Sequence, residues 1–452
     1  MSRLMISVSG IRGIVGEGLT PEIITQFAQA FGTYCESKPV VIGWDARVSG
    51  DMVHRAFVAG LLSVGCDVID LGIAATPTVQ MTTKELECGG GIIITASHNP
   101  IMWNGIKMLA SDGLFLDAEQ GEKVLEIRNK KTFAFKPWDQ LGTVKKLNTA
   151  SAAHIEKILA LPYINPMQIR ARKFKVVADC INGAGCVIIP KLLEELGCDS
   201  IILNGEANGL FARTPEPLPE NLTAVCQTVK QHGADLAIVV DPDSDRLALV
   251  SEKGEPLGEE YTLGITGDYF LKNQQGKVVV NVSTSQLLPD IAREYGCETE
   301  ITKVGEINVT KHMREIDAVF GGEGNGGVIV PDLHLGRDAI IGVALVLQHL
   351  SSTNETLSEI KARLPQYEMV KLKIQLDENS NAKAILAKIQ EKYKNEQIDL
   401  IDGLKLIRDK SWVQVRASNT EPILRVMAEA PTRAEAQAMA DELREATEAL
   451  AR

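Results

Sequence analysis

The hydrophobic and polar positions in the first three-quarters of the chain repeat one plan three times. Each copy has an apolar β-branched run, a polar turn, an amphipathic stretch and a second apolar run. The amphipathic stretches end in Gly-Cys pairs at 65–66, 197–198 and 296–297. Apolar runs of this length predict buried strands, and a glycine after a helical stretch is typical of a left-handed helix end. The pattern therefore predicts three βαβ units with right-handed crossovers.

Each predicted unit is followed by another apolar run and then by a polar loop. We name these loops the serine loop (95–100), the acidic loop (241–246) and the glycine loop (321–327). In open α/β sheets, ligands bind beside the carboxyl ends of the strands. The three loops are therefore the first candidates for a functional site.

The last quarter of the chain has a different pattern. Apolar runs at 369–374 and 412–416 predict strands, and an amphipathic stretch at 433–451 predicts a closing helix. Strands placed before and between helices indicate an α+β domain with an antiparallel sheet. The predicted fold class is thus α/β, with three similar mixed α/β domains that contain βαβ units, followed by a C-terminal α+β domain. The expected domains are 1–150, 151–255, 256–365 and 366–452.

Composition limits the classes of protein that fit. A chain of 452 residues exceeds the roughly 250–300 residues that one hydrophobic core usually supports. The net charge of −12 argues against nucleic-acid binding, although a local cluster of cations can still bind an anionic substrate. The eight cysteines are scattered without a Cys-x-x-Cys pair, which predicts reduced core residues of a cytoplasmic protein. The absence of a long apolar run predicts neither a signal peptide nor a transmembrane helix.

The serine loop reads Thr-Ala-Ser-His-Asn-Pro. It places Ser97 at the end of a predicted strand, beside His98, which can accept or release a proton. The alternative is that Ser97 and Asn99 only shape a turn.

The acidic loop carries Asp241, Asp243 and Asp245 at alternate positions after a predicted strand. Crowded carboxylates repel one another unless a hard cation neutralises them, and a set of oxygen ligands suits Mg²⁺. An EF-hand is a competing motif because Glu252 stands at the twelfth place, but Arg246 occupies the place of the required glycine. An acidic turn in solvent is the remaining alternative.

The glycine loop contains the spacing Gly-x-Gly-x-x-Gly, which is also found in dinucleotide-binding loops. A strand rather than a helix is predicted after it, so the dinucleotide interpretation is poor. Glu323 and Asn325 on a thin loop are suited to hydrogen-bond vicinal sugar hydroxyls. A plain flexible turn is the alternative.

A fourth polar loop, which we name the arginine loop (416–422), follows a strand of the last quarter. A guanidinium, two hydroxyls, an amide and loop N–H groups form a cradle for an anion. The candidate residues are Arg416, Ser418, Asn419, Thr420 and, in the next strand, Arg425.

Taken together and in this order, the four loops resemble the motifs of the α-D-phosphohexomutases over nearly the whole chain. The acidic loop matches the metal loop of that family residue for residue. The glycine loop departs from the family pattern Gly-Glu-x-Ser-Gly at Gly324 and Asn325, and Asn419 stands where many members have glycine. Weaker matches at 302–305 and 336–338 resemble substrate contacts of the third domain.

The resemblance implies a phosphoserine domain, a metal-binding domain, a sugar-binding domain and a phosphate-binding domain around a central cleft. It implies reversible transfer of phosphate between O1 and O6 of a hexose through a phosphoserine and a bisphosphorylated sugar. The cofactors would be Mg²⁺ and, as activator, a hexose 1,6-bisphosphate. The implied catalytic residues are Ser97, His98, Lys107, Arg12 and Arg246; the metal ligands are Ser97, Asp241, Asp243 and Asp245; the substrate-binding residues are Glu323, Asn325, Lys303, Arg416, Ser418, Asn419, Thr420 and Arg425.

Within the family, the segment 9–13 and the loop at 323–327 most resemble phosphoglucosamine mutases, which act on glucosamine phosphates. Phosphomannomutase/phosphoglucomutase is the alternative. A metal-dependent sugar phosphatase is a more distant one, and a catalytically silent sugar-phosphate sensor would have lost Ser97 or an aspartate. We expect a small sugar phosphate as partner, no nucleic acid or membrane, and a monomer or homodimer.

Overall fold

The structure is a computed structural model that describes residues 4–7, 10–376, 381–418 and 423–451. In the first sheet, β3 (Val40–Trp44) lies between β4 (Val68–Ile73) and β5 (Gly90–Ile94), and the three strands are parallel. β6 (Trp103–Leu109) runs antiparallel to β5, so the serine loop turns the chain between these two strands. The other elements of this part are β1 (Leu4–Ser7), β2 (Gly10–Ile14), α1 (Pro21–Tyr34), α2 (Gly50–Ser63), α3 (Thr76–Glu85), α4 (Ala118–Lys130), β7 (Val144–Lys146) and α5 (Ala150–Leu159).

The second and third sheets repeat the central arrangement of the first. In each, three parallel strands are followed by an antiparallel fourth that pairs with the third, and the polar loop connects these last two strands. The second sheet has β8 (Lys175–Asp179), β9 (Asp199–Leu203), β10 (Leu236–Val240) and β11 (Leu247–Ser251) in the order β11-β10-β8-β9. The third has β12 (Val278–Asn281), β13 (Thr299–Thr302), β14 (Phe320–Glu323) and β15 (Gly327–Ile329) in the order β13-β12-β14-β15.

The helices of these two parts include those predicted from the Gly-Cys pattern. They are α6 (Pro166–Arg172), α7 (Ile189–Glu195), α8 (Thr223–His232), α9 (Glu259–Asn273), α10 (Leu287–Glu294), α11 (Glu306–Glu315), α12 (Ala339–Thr353) and α13 (Leu357–Arg363). Gly65, Gly197 and Gly296 follow α2, α7 and α10 with φ of 79°, 67° and 70°, the left-handed conformation that favours glycine. The predicted βαβ units and the α/β fold class are confirmed.

One hydrophobic core joins the second and third sheets. Val176 and Leu236 of the second sheet belong to the same buried cluster as Val278 and Phe320 of the third. Helix α12 is buried on nearly every side and packs against α6 and α9, because its sequence is apolar all round rather than on one stripe. The acidic and glycine loops are therefore carried by sheets that are packed into one unit.

The fourth sheet is antiparallel, as predicted. Its elements are β16 (Glu368–Gln375), α14 (Ala382–Tyr393), β17 (Ile398–Asp399), β18 (Leu404–Arg408), β19 (Ser411–Ala417), β20 (Ile423–Ala430) and α15 (Arg433–Ala451), with the strand order β16-β20-β19-β18-β17. It contacts the third sheet through polar bonds: Ser283 Oγ donates to Gln414 Oε1 at 2.6 Å, and the backbone N–H of Gln286 donates to Glu429 Oε1 at 2.8 Å. No helix among the described residues is long and apolar enough to cross a membrane.

Candidate active site

The serine loop, the acidic loop and the glycine loop meet at one place. Ser97 is 3% exposed, and its Oγ donates to Asp241 Oδ2 at 3.2 Å. The Nδ1 atom of His98 lies 3.4 Å from the same hydroxyl. The backbone N–H of Leu247 donates to Gly326 O at 3.0 Å, which joins the acidic side to the glycine loop. The repeated topology explains this meeting, since each loop leaves the same position of its sheet.

The three aspartates of the acidic loop form a group that can hold a metal ion. Asp241, Asp243 and Asp245 are fully buried, and one oxygen of each lies within 4.8 Å of the others. The Oδ1 atoms of Asp243 and Asp245 are buried and have no hydrogen-bond partner among the described residues. Unpartnered buried carboxylate oxygens are costly, and a hard divalent cation would satisfy them. The donor set therefore fits such an ion.

The three carboxylates experience different environments. Burial and the neighbouring Asp245 and Asp243 raise the pKa of Asp241 well above its usual value. Burial also opposes ionisation of Asp243, but Lys107 Nζ, at 2.7 Å from its Oδ2, brings the pKa of Asp243 below its usual value. Thr76 Oγ1 donates to the same oxygen at 2.7 Å. The charge of Asp243 is thus balanced by Lys107 of the first sheet, whereas the charges that act most strongly on Asp241 are those of the other two aspartates.

Two arginines surround the serine loop. The Nη1 atom of Arg12, on β2, donates to Asn99 Oδ1 at 3.4 Å. Arg246 Nη1 lies 3.5 Å from Glu216 Oε1, and its Nε lies 3.8 Å from Asp245 Oδ1. Burial, together with these two guanidinium groups, lowers the pKa of His98 well below its usual value. His98 is therefore unprotonated near pH 7.

Arg337 connects the acidic loop to the glycine loop. Its Nη2 contacts Asp245 Oδ2 at 2.6 Å, its Nη1 contacts Glu323 Oε2 at 3.0 Å, and its Nε contacts Glu306 Oε2 at 2.9 Å. The other oxygen of Glu323 accepts from Asn281 Nδ2 at 2.8 Å and from the N–H of Gly305 at 3.1 Å. Glu323 is thereby held in one position at the end of β14.

The departure from the family pattern at Gly324 has a steric reason in this chain. A Cβ atom on Gly324 would lie 2.1 Å from both carboxylate oxygens of Glu260, at the start of α9. Glu260 Oε2 also accepts the backbone N–H of Ser285 at 3.0 Å. Glu260 therefore occupies the space that a side chain at position 324 would need. Asn325, on the other side of the loop, has a buried Oδ1 without a partner among the described residues.

The arginine loop begins at the fourth sheet. Arg416 on β19 and Arg425 on β20 are directly paired residues of neighbouring strands, so two guanidinium groups share one face. Arg416 is 8% exposed, and burial lowers its pKa. Two cations held side by side repel each other, which an anion would relieve. Ser418 is described, and its N–H donates to Ile423 O at 3.0 Å, whereas Asn419 and Thr420 lie outside the described residues.

The structure brings together most of the predicted residues and adds several. Among the predicted residues that the structure describes, Lys303 stands apart because it is exposed in the connection between β13 and α11, and Asn419 and Thr420 lie outside the described residues. Thr76 and Asn281 contact the predicted residues Asp243 and Glu323, and Glu306 contacts Arg337, but none of the three carries a motif of its own. In the sequence, Thr76 is marked only by its position before Pro77 at a helix start. Arg337 is marked only by the weak family resemblance at 336–338. Only the folded chain shows what these side chains touch.

The chain belongs to the phosphoglucomutase/phosphomannomutase family. Four models of that family match it in succession: alpha/beta/alpha domain I at residues 3–135, domain II at 152–254, domain III at 259–367 and the C-terminal domain at 372–446. The order of these matches is the order of the four sheets along the chain.

Individual relatives cover almost the whole chain. A phosphoglucomutase/phosphomannomutase of Thermococcus kodakarensis is 40% identical, with 95% of each chain covered. A probable phosphoglucosamine mutase of Methanopyrus kandleri is 36% identical, with 96% of this chain and 95% of the relative covered. Among solved structures, a phosphoglucomutase/phosphomannomutase family protein of Burkholderia thailandensis superposes with a TM-score of 0.85 at 25% identity, covering 99% of this chain and 98% of the other.

The buried position of Glu260 predicts a pH-dependent effect on stability. Burial raises the pKa of Glu260 from 4.5 to about 8. Between these values the unfolded chain releases this proton first, so stability should fall as the pH rises from about 4.5 to about 8. The Glu260→Gln variant has no titratable group at this position, so its stability should not fall for this reason. Its thermal midpoint, relative to wild type, should therefore rise between about pH 5 and about pH 8.5.

The exposed Glu255→Gln substitution is the matched control and should show no such trend. A difference between Glu260→Gln and wild type that is constant with pH would show that Glu260 does not resist ionisation.

Proposed function

We propose that this protein is a phosphohexomutase that interconverts 6-phospho and 1-phospho hexoses, with Ser97 as the residue that carries phosphate. The observation that carries this proposal is the buried Ser97 hydroxyl, 3.2 Å from Asp241 in a loop of three carboxylates. A hydroxyl beside a neutral histidine and a potential metal site is suited to accept and return a phosphoryl group. Family membership supports the same reaction class.

In the proposed reaction, phosphate passes from Ser97 to the free hydroxyl of a sugar monophosphate. The resulting bisphosphorylated sugar turns over in the cleft and returns its other phosphate to Ser97. The proposed units are 1–150 for the serine, 151–255 for the metal, 256–365 for the sugar and 366–452 for the distal phosphate. Four separate sheets that each carry one loop support this division.

The residues around Ser97 divide the chemical work. When bound by Asp241, Asp243, Asp245 and Ser97, Mg²⁺ would neutralise the charge of the phosphoryl oxygens. In the return step, where the Ser97 hydroxyl attacks the bisphosphorylated sugar, His98 accepts the Ser97 proton, because its Nδ1 lies 3.4 Å from Ser97 Oγ and its lowered pKa leaves the ring unprotonated. Lys107, Arg12 and Arg246 stabilise the negative charge around the transferred group.

The remaining loops bind the substrate at a distance from the transferred phosphate. Glu323 accepts hydrogen bonds from sugar hydroxyls, Asn325 accepts or donates them, and the exposed Lys303 donates a further one. The distal phosphate is bound by residues whose donors match the geometry of a phosphate group, whichever sugar carbon carries it. These residues are Arg416, Ser418, Asn419, Thr420 and Arg425.

We propose glucosamine 6-phosphate as the preferred substrate and a hexose 1,6-bisphosphate as the activator that loads Ser97. Relatives at 36% identity named as probable phosphoglucosamine mutases support this choice. The Thermococcus kodakarensis relative, at 40% identity, supports phosphoglucomutase/phosphomannomutase as a second candidate. The cytoplasm is the proposed location, because all eight cysteines are free thiols.

A substrate panel tests the proposed reaction. Glucosamine 6-phosphate, mannose 6-phosphate and glucose 6-phosphate are each supplied with Mg²⁺ and a trace of hexose 1,6-bisphosphate, and the 1-phosphate product is measured by a coupled assay. We expect the highest kcat/KM for glucosamine 6-phosphate. Higher values for mannose or glucose 6-phosphate would favour the second candidate, and inorganic phosphate as the main product would indicate a phosphatase.

Ser97 should carry phosphate in the active enzyme. Intact-protein mass spectrometry before and after incubation with hexose 1,6-bisphosphate should differ by one phosphate, and peptide mapping should place it on Ser97. The Ser97→Ala variant should lose at least about a thousandfold in kcat, as expected when a nucleophile is removed. A variant of the exposed Ser111, Ser111→Ala, should keep both properties. Wild-type turnover by Ser97→Ala would contradict the proposal.

Divalent-cation binding should depend on Asp243. Asp243→Asn removes one charge with little change in shape, so calorimetry with Mg²⁺ should show affinity reduced at least about tenfold. Chelation should abolish turnover, and added Mg²⁺ should restore it. The exposed Asp317→Asn substitution is the control and should bind Mg²⁺ like wild type. Unchanged affinity in a folded Asp243→Asn protein would remove Asp243 from the ligand set.

A further inference from the structure

Arg47 lies beneath the serine loop and donates to three of its backbone carbonyl groups and to that of Trp103 at the start of β6. Its Nη2 donates to Ser97 O at 2.6 Å and to Asn99 O at 2.7 Å. Its Nη1 donates to Pro100 O and to Trp103 O, both at 2.9 Å. The side chain is wholly buried. An arrangement of four carbonyl acceptors suits the planar, forked N–H groups of a guanidinium and not the single ammonium of a lysine.

Arg47 is also connected to the backbone N–H of Ser97, through Asp45 and Thr95. Arg47 Nε donates to Asp45 Oδ2 at 3.0 Å, and Thr95 Oγ1 donates to that oxygen at 2.7 Å. Thr95 Oγ1 in turn accepts the backbone N–H of Ser97 at 2.8 Å. The N–H and the carbonyl of Ser97 are therefore both bound, directly or through one residue, to the Arg47–Asp45 pair.

These bonds explain an unusual backbone conformation. Ser97 has φ of 47°, in the left-handed region that residues other than glycine rarely adopt. Such a conformation persists only where surrounding contacts impose it. In this conformation the Ser97 hydroxyl lies within hydrogen-bond distance of Asp241 in the acidic loop.

A segment from the second sheet closes the site of Arg47. The Phe211 ring centroid lies 4.9 Å from the Arg47 guanidinium carbon, and Gly209 packs so closely that a Cβ there would lie 2.1 Å from Ala46 O. Phe211 belongs to the connection between β9 and α8, and it is half-buried. The aromatic face excludes water from a cation that already uses its N–H groups on the serine loop.

We propose that Arg47 is a positioning residue for phosphoryl transfer, which holds Ser97 in the left-handed conformation and so places its hydroxyl at the acidic loop. The Arg47 guanidinium donates to Asp45, to three carbonyls of the serine loop and to Trp103 O. Phe211 supports the same function from the second sheet. The inference rests on the proposed function for its kinetic consequence, but its structural part can be measured without turnover.

The test compares Arg47→Lys and Phe211→Leu with wild type. Loss of the fork should lower kcat for the preferred sugar phosphate about a hundredfold in Arg47→Lys, as expected when a reacting group is misplaced. KM should change less than about threefold, because the substrate-binding side chains are elsewhere. The amide hydrogen of Ser97 should exchange at least about tenfold faster, since its acceptor Thr95 is held through Asp45. Phe211→Leu should move kcat and exchange in the same directions by a smaller factor.

The control is Arg55→Gln on the exposed surface of α2, which should leave both readouts unchanged. A folded Arg47→Lys protein with wild-type kcat, or with wild-type exchange at Ser97, would overturn the proposal, as would a rise in KM alone. If Arg47→Lys does not fold, Phe211→Leu decides: unchanged kcat and exchange would overturn the proposal. If wild type converts no sugar phosphate, the proposed function fails, and amide exchange still decides whether Arg47 holds Ser97.

Discussion

Three carboxylates buried within 4.8 Å of one another are the constraint on which this structure depends. Removing such charges from water is costly, and their mutual repulsion adds to the cost unless cations compensate for it. The compensation comes from different parts of the chain: Lys107 from the first sheet and Arg337 from the third. The acidic loop therefore joins three sheets through ion pairs. Two of its carboxylate oxygens still lack a hydrogen-bond partner among the described residues, and a divalent ion would satisfy them.

The repeated topology explains why the three loops meet at one place. In all three α/β sheets, the polar loop joins the third parallel strand to an antiparallel fourth. One backbone plan thus presents a hydroxyl, a carboxylate trio and a glycine-rich loop at equivalent positions. The fourth sheet breaks the plan, and it contributes paired arginines instead of another loop of the same kind. Two polar hydrogen bonds join the fourth sheet to the segment that follows β12 of the third.

Two of the loops depend on buried charged residues that carry no motif. Gly324 stands opposite the carboxylate of Glu260, so the absent side chain and the acidic neighbour complement each other. Arg47 shows the same principle at the serine loop, where an ordinary-looking cation imposes an unusual backbone conformation. In both places the residue that carries a motif depends on a partner far away in the sequence or without a motif of its own.

Sequence patterns were enough to predict the strands, the glycine-terminated helices, the fold class and the polar residues that cluster in the four loops. These features depend on periodicity and on residues that are neighbours in the chain, so they can be read locally. The folded chain was needed to show that Arg337 joins Asp245 to Glu323, that Glu260 faces Gly324, and that Arg47 lies beneath Ser97. A charged side chain has the same letter whether it is solvated or buried against partners a hundred residues away, and long-range packing alone makes that distinction.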